Sequence, residues 1–532
     1  MDQNPIKPLS LGTASFERLR KTNQIYVDKT FLIYELASKA GKFFLTRPRR
    51  FGKSLLISTF ESLFEYGLRD FEGLQIEKLW KEKTGYQVVR LDFSEIKQFA
   101  NADEFNLRLS SLLARRFNDI GFEFKENKLF PISDQLSDWL KTQKVNSLVL
   151  LIDEYDAPLT ACLEDNDLFE EVRGALANFY AVLKSNDAQL RFLFITGITR
   201  FNKTSIFSEL NNLSDISFSP NYATLLGYTK EEVQIYFSQY LDSAAEQLDI
   251  SRDKLFEALL SHYDGFCFDE TAKQRVFVPW SLLKFFAEPI RGFKNYWFES
   301  GGRPEALVRY MRSHTLRRPE EYVNEKTIPL SVLESSSDAE HLSDTALLTQ
   351  TGYLTIKAVK YEDIVFLDYP NREVKRSMAQ LYVEQLLKGK LAGQVGAGPI
   401  VEVLRMGTAE SLFHILNRLF VAIDYQNYPV RDEASVRAFT QIYMSGAGLD
   451  PKIETHNAHG RSDLSVKVGH RKWILEFKVL RAGDSAEKLL NADVEQIIQK
   501  KYGEESEFDI ELIRVALVFS IEKREFVKWM RC

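Results

Sequence analysis

Apolar and polar residues alternate along two short segments on either side of Gly469-His470, near the C-terminus. Alternation with a period of two predicts β-strands, because successive strand residues point to opposite faces of a sheet. A tight hairpin turn centred between Gly469 and His470 places Asp463 directly opposite Glu476. Lys478 lies on the same face as these two acids. The other face is apolar and consists of Leu464, Val466, Trp473, Leu475 and Phe477.

The polar face of this hairpin predicts a metal site. Directly opposed side chains have Cβ atoms roughly 4.5–5.5 Å apart, so the carboxylates of Asp463 and Glu476 repel each other. A divalent cation with oxygen ligands removes that repulsion, and Lys478 is placed to hold an attacking water or a phosphate oxygen. The alternative is a half-buried hairpin whose polar face is ordinary surface. The prediction depends on the register, because a slip by one residue moves the two acids to opposite faces.

A second pattern, near the N-terminus, predicts a phosphate-binding loop. Lys42–Thr46 suits a strand, Leu55–Tyr66 has helical periodicity, and Arg47–Ser54 joins them. In a P-loop, backbone N–H groups at the helix start hold phosphates, a lysine meets the β- and γ-phosphates, and a serine binds Mg²⁺. Lys53 and Ser54 suit the last two roles, although Arg47 stands where the pattern has its first glycine. The remaining candidate phosphate-binding residues of the loop are Arg49, Arg50, Phe51 and Gly52.

An unbroken apolar run, Ser147–Ile152, precedes Asp153 and Glu154. Such a run is typical of a strand buried on both faces of a parallel sheet. Two acids at its end have the form of a Walker B strand, in which Asp153 holds Mg²⁺ through water and Glu154 polarises the attacking water. The alternative is a core strand that leaves the sheet at a solvated turn. The strand, Gly-Lys-Ser loop and helix upstream favour an NTPase.

The elements around the C-terminal hairpin follow the order of a nuclease superfamily. They are a helix, a strand, a second helix and an apolar strand at Glu433–Tyr443, Lys452–His456, Ala486–Tyr502 and Leu512–Ser520. With the hairpin, they resemble the D…ExK core of the PD-(D/E)XK nuclease superfamily, although Gly460-Arg461-Ser462 replaces the motif's initial proline. The resemblance implies Mg²⁺ or Mn²⁺ at Asp463 and Glu476, with Glu433 or Glu454 completing the coordination. It also implies that Gln496 matches a glutamine that many of these nucleases carry behind the metal.

Segments along nearly the whole chain resemble the family of predicted AAA-ATPases that carry a C-terminal PD-(D/E)XK nuclease-like domain. The matching segments are Tyr26–Thr30, Arg47–Ser54, Asp153–Asp156, Phe207–Leu213, Gly227–Thr229, Tyr263–Phe268, Pro279–Leu283, Asn295–Phe298, Gly352–Thr355 and Asp368–Asn371. The family's usual P-loop also reads Arg-Pro-Arg-Arg-Phe-Gly-Lys-Ser, so the missing glycine is typical of it.

The same resemblance implies roles after the third apolar strand, Leu190–Thr196. In AAA-type ATPases a polar residue at the end of this strand senses the γ-phosphate, which implies Thr196 or Thr199. Arg200 is implied as a nucleotide sensor or as an arginine finger that acts on a neighbouring subunit. The alternative for Arg200 is a solvated loop charge.

The segment after the ATPase core predicts a helical lid. Lys230–Leu260 has helical periodicity and follows Thr229, with Glu232 three residues later, which is the pattern of a capping box. Aromatic residues in Tyr263–Phe268 and Tyr296–Phe298 suit either a base-stacking surface or the core, and we favour the core.

The next region resembles a winged-helix domain. From Ser331 to Met378, helices precede a hairpin-like segment at Lys357–Leu367. Such a domain either binds DNA or relays the nucleotide state between domains, and the lack of a clear basic recognition helix favours the relay. The glycines of Gly389–Gly398 then indicate a linker, and the helical segment Ile400–Tyr425 follows it.

Together these elements predict a multidomain α/β protein. Residues 1–225 form an AAA-like P-loop ATPase core, and 226–325 form its lid. Residues 326–398 form the winged-helix-like region and linker, and 399–532 form a restriction-endonuclease-like α/β domain of the PD-(D/E)XK type.

Composition narrows the setting of these domains. The 532 residues are 45% hydrophobic and 27% charged, which is ordinary for a soluble globular protein, and the formal net charge is −6. That charge gives no general attraction to nucleic acid, so such contacts must use local basic patches. Apolar runs stay below the roughly 18 residues of a membrane span, the first residues lack a secretory pattern, and three scattered cysteines suit neither disulfides nor zinc. We expect a cytoplasmic protein without a membrane partner.

The function predicted from these observations is an ATP-binding and ATP-hydrolysing protein that controls a metal-dependent nuclease. Nucleic acid is the expected partner, with DNA favoured over RNA, and a homo-oligomer is a candidate assembly. Conditional defence against phage or mobile DNA is a candidate role. The alternative is a signalling or scaffold NTPase whose nuclease-like domain only binds nucleic acid or a protein partner. A third interpretation is a DNA-binding regulator that acts through the winged helix.

Overall fold

The fold is taken from a computed structural model. It describes residues 6–83, 85–126, 130–200, 210, 212–299, 305–313, 326–334, 343–361, 363–387, 397–457, 460–500, 502 and 510–532. The predicted motif residues Phe207–Glu209 and Asn211 lie outside this range, as does most of the predicted glycine-rich linker. The described residues divide into two compact units, one up to 313 together with 326–374, and one from 375 onward.

In the described part of the first unit, five parallel strands form a sheet. They are β1 (Lys42–Thr46), β2 (Gln87–Asp92), β3 (Leu148–Asp153), β4 (Leu190–Gly197) and β5 (Leu213–Asp215). The sheet order is β2-β3-β4-β1-β5. Every residue of β3 and β4 is buried, as the unbroken apolar runs predicted. Because β4 lies between β1 and β3, the P-loop and the acidic end of β3 flank the end of β4, at the carboxyl ends of these parallel strands.

Helices cover this sheet. They are α1 (Phe16–Lys21), α2 (Thr30–Ala37), α3 (Lys53–Tyr66), α4 (Ala102–Asn118), α5 (Ile132–Lys141), α6 (Ala157–Ala161) and α7 (Asn166–Ser185). The P-loop helix α3 begins directly after Gly52, whose φ of 94° lies in the left-handed region that favours glycine.

A second group of helices follows the sheet in sequence. They are α8 (Lys230–Tyr236), α9 (Ser238–Gln247), α10 (Arg252–Tyr263), α11 (Pro279–Ala287), α12 (Tyr296–Glu299) and α13 (Glu305–Ser313). The predicted capping box is confirmed, because Thr229 and Glu232 make both reciprocal hydrogen bonds. The core interpretation of the aromatic segments is also confirmed for Tyr263, Phe266, Tyr296 and Trp297, which are all buried.

The rest of the first unit contains a small antiparallel sheet. Its strands are β6 (Lys326–Pro329), β7 (Thr355–Lys360) and β8 (Ile364–Asp368). The helices α14 (Leu330–Glu334) and α15 (Asp344–Gln350) lie between β6 and β7 in sequence, and α16 (Arg372–Leu386) follows β8. Among the described residues the strand order is β6-β8-β7. Helices therefore precede a hairpin formed by β7 and β8, as the sequence predicted.

The second unit is built on a mixed sheet. Its strands are β9 (Lys452–Asn457), β10 (Gly460–Val468), β11 (Arg471–Leu480), β12 (Glu511–Ser520) and β13 (Glu525–Arg531), and its helices include α17 (Ala397–Met406), α18 (Ala409–Ala422), α19 (Glu433–Gly446) and α20 (Ala486–Gln499). The sheet order is β13-β12-β11-β10-β9, with β11 and β12 parallel and the other neighbours antiparallel. The predicted helix, strand, hairpin, helix and strand all occur in order, and β13 is an additional edge strand.

The predicted helical segment Ile400–Tyr425 is divided into two helices. The structure has α17 and α18 with Gly407 between them, and α18 ends at Ala422. A Cβ at Gly407 would lie 2.9 Å from Val403 Cα, and Thr408 Oγ1 accepts the Ser411 N–H at 3.2 Å to start α18. Tight packing and a new helix cap therefore interrupt the apolar periodicity here. None of the helices in the described ranges is long and apolar enough to span a bilayer.

Two candidate active sites

The P-loop lysine is held by backbone carbonyl groups. Lys53 Nζ donates to Arg47 O at 2.8 Å and to Pro48 O at 3.0 Å, and Lys53 is only 7% exposed. Burial lowers the pKa of Lys53, although Asp153 and Glu154 oppose that effect. Among the described residues, the hydrogen-bond partners of this buried ammonium are carbonyl oxygens, and an anion such as a phosphate would stabilise its charge.

Arg47, which replaces the first glycine of the pattern, has a structural position. It is 1% exposed, and its Nη1 donates to Thr46 O at 2.9 Å and to Ser217 O at 2.6 Å. Its guanidinium lies 4.1 Å from the ring centre of Phe268. Burial lowers the pKa of Arg47 to about 9. The side chain therefore anchors the loop to the core of the first unit.

The other loop residues border a cavity of about 750 Å³, together with Lys53 and Glu154. Arg49 and Ser54 line it directly, and Arg50 lies over Trp280 with its guanidinium 4.3 Å from the ring centre. Phe51 lines the cavity too, but its ring packs against Phe266 and Phe268 in the core. Away from the loop the walls are mainly apolar, with Ile25, Val27, Leu225, Leu226 and Trp280. The volume and the change from cationic to apolar walls suit a nucleoside triphosphate.

The acidic strand end meets the end of β4 beside this cavity. Thr196 Oγ1 donates to Asp153 Oδ1 at 2.6 Å, and both residues are buried. Glu154 follows in left-handed backbone with φ of 50°, and burial raises the pKa of its carboxyl. The central position of β4 thus brings Thr196 to the residue predicted to hold Mg²⁺.

Thr199, the other candidate sensor, is held by Asp156. Asp156 Oδ2 accepts the Thr199 N–H at 2.7 Å and the Thr199 hydroxyl at 2.5 Å, and Tyr155 OH donates to Thr199 O at 2.9 Å. Gly197 permits this loop, because a Cβ there would lie 2.6 Å from the Tyr155 ring. Sequence reasoning gave Asp156 no role, although it lies two residues after Glu154.

Arg200 is turned into the first unit. It is 3% exposed, forms an ion pair with Asp215, and donates from Nη1 to Leu333 O at 3.1 Å. Its backbone N–H donates to Gln350 Oε1 at 3.0 Å. A guanidinium buried in this way gives no support to an arginine finger for a neighbouring subunit, and the solvated-charge alternative is wrong. The structure instead makes Arg200 a link between β4 and the helices α14 and α15.

In the second unit, the hairpin register is the one that the sequence predicted. Leu464 pairs with Leu475, Val466 with Trp473, and Val468 with Arg471. At the next position the carboxylates take over the pairing: Asp463 N–H donates to Glu476 Oε1 at 2.8 Å, and Phe477 N–H donates to Asp463 Oδ2 at 3.0 Å. Asp463 and Glu476 therefore face each other.

This pair has the donor chemistry of a site for a hard divalent cation. Glu476 is 1% exposed, and burial together with the neighbouring Asp463 raises the pKa of its carboxyl to about 8. Two carboxylates are enough for Mg²⁺, which usually keeps several waters. Groups of three or more His, Cys, Asp or Glu residues that could hold a metal are absent from the described residues.

The two candidates for an additional ligand differ in what the structure describes. Glu433, the first residue of α19, has Oε1 accepting the Val479 N–H at 3.2 Å, which places it against β11. Glu454 lies on β9, but its side chain is outside the described residues. On the same face of α19 as Glu433, Arg437 Nη1 lies 3.5 Å from Asp463 Oδ1, a neighbour that sequence reasoning missed.

The lysine of the motif reaches helix α20. Lys478 Nζ lies 3.4 Å from Asp493 Oδ1 and donates to Gln496 Oε1 at 3.5 Å, while Gln496 Nε2 donates to Tyr502 OH at 3.3 Å. Burial lowers the pKa of Lys478, but Asp493 and Asp463 outweigh burial, so the pKa is raised. Burial raises the pKa of Asp493 to about 6. Sequence reasoning found Gln496 and missed Asp493, one helical turn earlier.

Comparison with known proteins gives matches in both units. The family model described as predicted AAA-ATPase matches residues 10–207, and that of the PD-(D/E)XK nuclease superfamily matches residues 431–529. A protein of Azotobacter chroococcum mcd 1, described as an uncharacterized protein in the vnfD 5' region, is 30% identical over 494 residues. The alignment covers 91% of this chain and 92% of that protein. The similarity therefore extends over both units.

Proposed function

This chain belongs to the family of predicted AAA-ATPases that carry a C-terminal domain of the PD-(D/E)XK nuclease superfamily, and we propose that it binds and hydrolyses ATP to control a metal-dependent nuclease. The observation that carries the proposal is the direct opposition of Asp463 and Glu476 beside Lys478. The same chain brings its P-loop, Asp153 and Glu154 together at the carboxyl ends of β1 and β3, here called the P-loop edge. The first site supplies the switch and the second supplies the chemistry.

At the first site, the proposal assigns the phosphates of ATP to the loop. Lys53 would exchange its two carbonyl partners for the β- and γ-phosphates, while Ser54 and Asp153 would hold Mg²⁺. Thr196 orients Asp153 through their hydrogen bond, which makes it the better placed of the two candidate sensors. Glu154 borders the same cavity and would orient the attacking water. The separation of these roles predicts that binding and hydrolysis respond to different substitutions.

At the second site, Asp463 and Glu476 would hold Mg²⁺ or Mn²⁺. The bound cation would supply a lowered pKa for its water and an electrostatic partner for the charge on the reacting phosphate. Lys478 would donate to a phosphate oxygen or orient the water, and Gln496 would support Lys478. Arg437 balances part of the charge of Asp463. These residues provide the charges that phosphodiester hydrolysis needs.

Control of the nuclease would start in the winged-helix-like region. The helices before a hairpin, with strand order β6-β8-β7, support that assignment. Gln350 and Leu333 accept hydrogen bonds from Arg200, and a Cβ at Gly352 would lie 2.8 Å from Pro48 of the P-loop. A rearrangement of the P-loop around ATP would therefore reach this region, in agreement with a relay.

The proposed substrate is nucleic acid, with DNA favoured over RNA, and the proposed setting is the cytoplasm. A nuclease under nucleotide control suits conditional cleavage, such as defence against phage or mobile DNA. Expression of the protein in a host that is challenged with a panel of phages tests this role. Fewer plaques with the wild type than with Asp463→Ala are expected, and equal plaque counts throughout would contradict the role.

The activity itself is tested with purified protein. Plasmid, linear DNA and RNA are incubated with Mn²⁺, with and without ATP, for the wild type, Lys53→Ala and Asp463→Ala. The exposed residues Lys144 and Asp450 provide matched controls, Lys144→Ala and Asp450→Ala. We expect cleavage that depends on ATP in the wild type, loses that dependence in Lys53→Ala, and disappears in Asp463→Ala.

A second candidate is a signalling or scaffold NTPase whose nuclease-like domain only binds nucleic acid or a protein partner. It is favoured by Arg437, which already pairs with Asp463 and so supplies a positive charge where a cation would bind. Hydrolysis of ATP without any cleavage would support this candidate. Sequence-specific DNA binding that survives both substitutions would instead support a regulator that acts through the winged helix.

A further inference from the structure

Asp493 is a fully buried carboxylate directly behind the candidate nuclease site. It lies on α20, is 0% exposed, and its Oδ1 lies 3.4 Å from Lys478 Nζ. Burial raises the pKa of its carboxyl, and Lys478 and the Leu517 backbone both act to lower it, but within the described residues neither carboxylate oxygen has a hydrogen-bond donor of normal geometry. A buried carboxylate with one long ion pair and poor hydrogen bonding costs stability rather than adding it.

Attachment of α20 to the sheet has a different basis. Leu490 and Ile497 of this helix are buried in an apolar cluster with Ile474, Tyr502, Ala516 and Val518. An apolar or amide residue at position 493 would serve the same packing without a charge. The carboxylate is thus explained by what it does to Lys478, whose side chain is still 25% exposed and would otherwise be free to turn to water.

The helix presents two groups to the same ammonium. Asp493 and Gln496 are three residues apart and share a face of α20, and Gln496 Oε1 accepts from Lys478 Nζ at 3.5 Å. Gln496 is held in turn by Tyr502, whose hydroxyl accepts from Nε2 at 3.3 Å. The ammonium of Lys478 therefore contacts one carboxylate and one oriented amide, both from α20.

We propose that Asp493 is a positioning residue, which holds the ammonium of Lys478 on the side of β11 where Asp463 and Glu476 lie. The effect of Asp493 on cleavage rests on the proposed nuclease function, in which Lys478 contacts the substrate or the attacking water. A flexible lysine loses rotamer freedom when it contacts a substrate. The ion pair with Asp493 orders Lys478 before the substrate binds, so that substrate binding does not bear this entropy cost.

The kinetic test uses Asp493→Asn, Lys478→Gln and the double variant. We expect Asp493→Asn to lower kcat for DNA cleavage by about 10- to 100-fold, with KM for DNA little changed, because supporting residues around metal sites have effects of this size. The unfolding temperature should stay equal or rise. The double variant should cleave as slowly as Lys478→Gln alone, because Asp493 acts through Lys478. Asp493→Glu should restore part of the rate.

Glu495→Gln, on the exposed side of the same helix turn, is the matched control and should keep the wild-type rate. Equal rates for Asp493→Asn and wild type would overturn the proposal. So would multiplication of the two single effects in the double variant, or a loss of rate that follows a loss of stability.

A second measurement separates this proposal from the function on which it rests. Amine-reactive labelling of the full chain, read by mass spectrometry, reports how accessible Lys478 is, with the exposed Lys467 as the internal reference. Labelling of Lys478 should accelerate several-fold in Asp493→Asn and remain unchanged in Glu495→Gln. Unchanged labelling in Asp493→Asn would overturn the positioning role. Accelerated labelling in Asp493→Asn, together with a wild-type protein that cleaves nothing, would support the positioning role and contradict the nuclease.

Discussion

The P-loop edge of the first unit and the hairpin of the second unit bury charges of opposite sign. Lys53 at the P-loop is almost inaccessible to water and contacts carbonyl oxygens, whereas Glu476 at the hairpin is buried and accepts a backbone N–H. Burial lowers the pKa of Lys53 and raises the pKa of Glu476, so each site disfavours its own charged form. A bound ligand of the opposite charge would stabilise the charged form at each site. The sign of the buried charge thus indicates the class of ligand, an anionic phosphate at one site and a cation at the other.

The two sites also differ in how their supporting residues are supplied. At the P-loop edge, Thr196 and Asp156 come from strand ends and loops that the parallel sheet gathers. At the hairpin, Arg437 and Asp493 come from helices packed against the strands. Changes at the first site should therefore affect loop geometry and nucleotide turnover, and changes at the second should affect how charges are positioned.

The largest effect is expected when the buried acid of the hairpin is removed. Glu476→Gln should lower DNA cleavage by at least about 1,000-fold, because it deletes a ligand of the proposed cation. ATP hydrolysis by the same variant should be unchanged. The exposed residue Glu522 provides the control Glu522→Gln, which should keep both activities. Cleavage that persists in Glu476→Gln would contradict the role of the buried Glu476 carboxylate in the candidate nuclease site.

The next effect separates hydrolysis from binding at the P-loop edge. Glu154→Gln should slow ATP hydrolysis by about 100-fold, because it removes the group that orients and polarises water. A fluorescent ATP analogue should still bind, since Lys53 and Ser54 remain. Glu171→Gln, at an exposed position of α7, is the control. Equal turnover of Glu154→Gln and wild type would show that another residue prepares the water.

A smaller effect concerns stability and contrasts two arginines of the same loop. Arg47→Gly introduces the first glycine of the general P-loop pattern. It should nevertheless lower the free energy of unfolding by about 3 kcal/mol, because it deletes buried hydrogen bonds and the contact with Phe268. Arg50→Gly should change it by less than about 1 kcal/mol, because Arg50 is exposed and its φ of 71° favours glycine. Urea unfolding followed by fluorescence measures both. A more stable Arg47→Gly would contradict the structural role.

The smallest effect tests the link from β4 to the region that contains α14 and α15. Gln350→Ala removes the acceptor of the Arg200 N–H and should weaken ATP binding by about 1 kcal/mol, roughly fivefold, if the region senses the loop. Gln247→Ala, on the exposed side of α9, should leave the affinity unchanged. Calorimetric titration with ATP distinguishes the two. An unchanged affinity for ATP in Gln350→Ala would show that the hydrogen bond between Gln350 and Arg200 does not couple this region to the P-loop.

Local patterns were enough to predict the elements that carry each site. Alternation around Gly469-His470 fixed the pairing of Asp463 with Glu476, because only one register buries Trp473 and its apolar neighbours. The strand, loop and helix at Arg47–Ser54 were likewise visible as a change of periodicity. The carboxyl end of β3 was predicted from its buried run.

The residues that support these elements could not be predicted in the same way. The choice of Thr196 over Thr199 follows from the position of β4 between β1 and β3, which is set by packing of the whole sheet. Arg437 and Asp493 meet the hairpin across separations of 26 and 15 residues, through helix packing that periodicity does not specify. The buried position of Arg47 depends on Phe268, more than two hundred residues later.

The most direct test of the account is the binding of Mn²⁺ to the nucleotide-free protein, measured by electron paramagnetic resonance with calorimetry. Without nucleotide the P-loop edge lacks the phosphates that help to hold a metal, so binding reports on the hairpin. We expect Mn²⁺ to bind to the wild type and to Lys53→Ala, and not to Asp463→Ala or Glu476→Gln. A wild-type protein that binds no Mn²⁺, or binding that survives both acid substitutions, would contradict the proposed cation site.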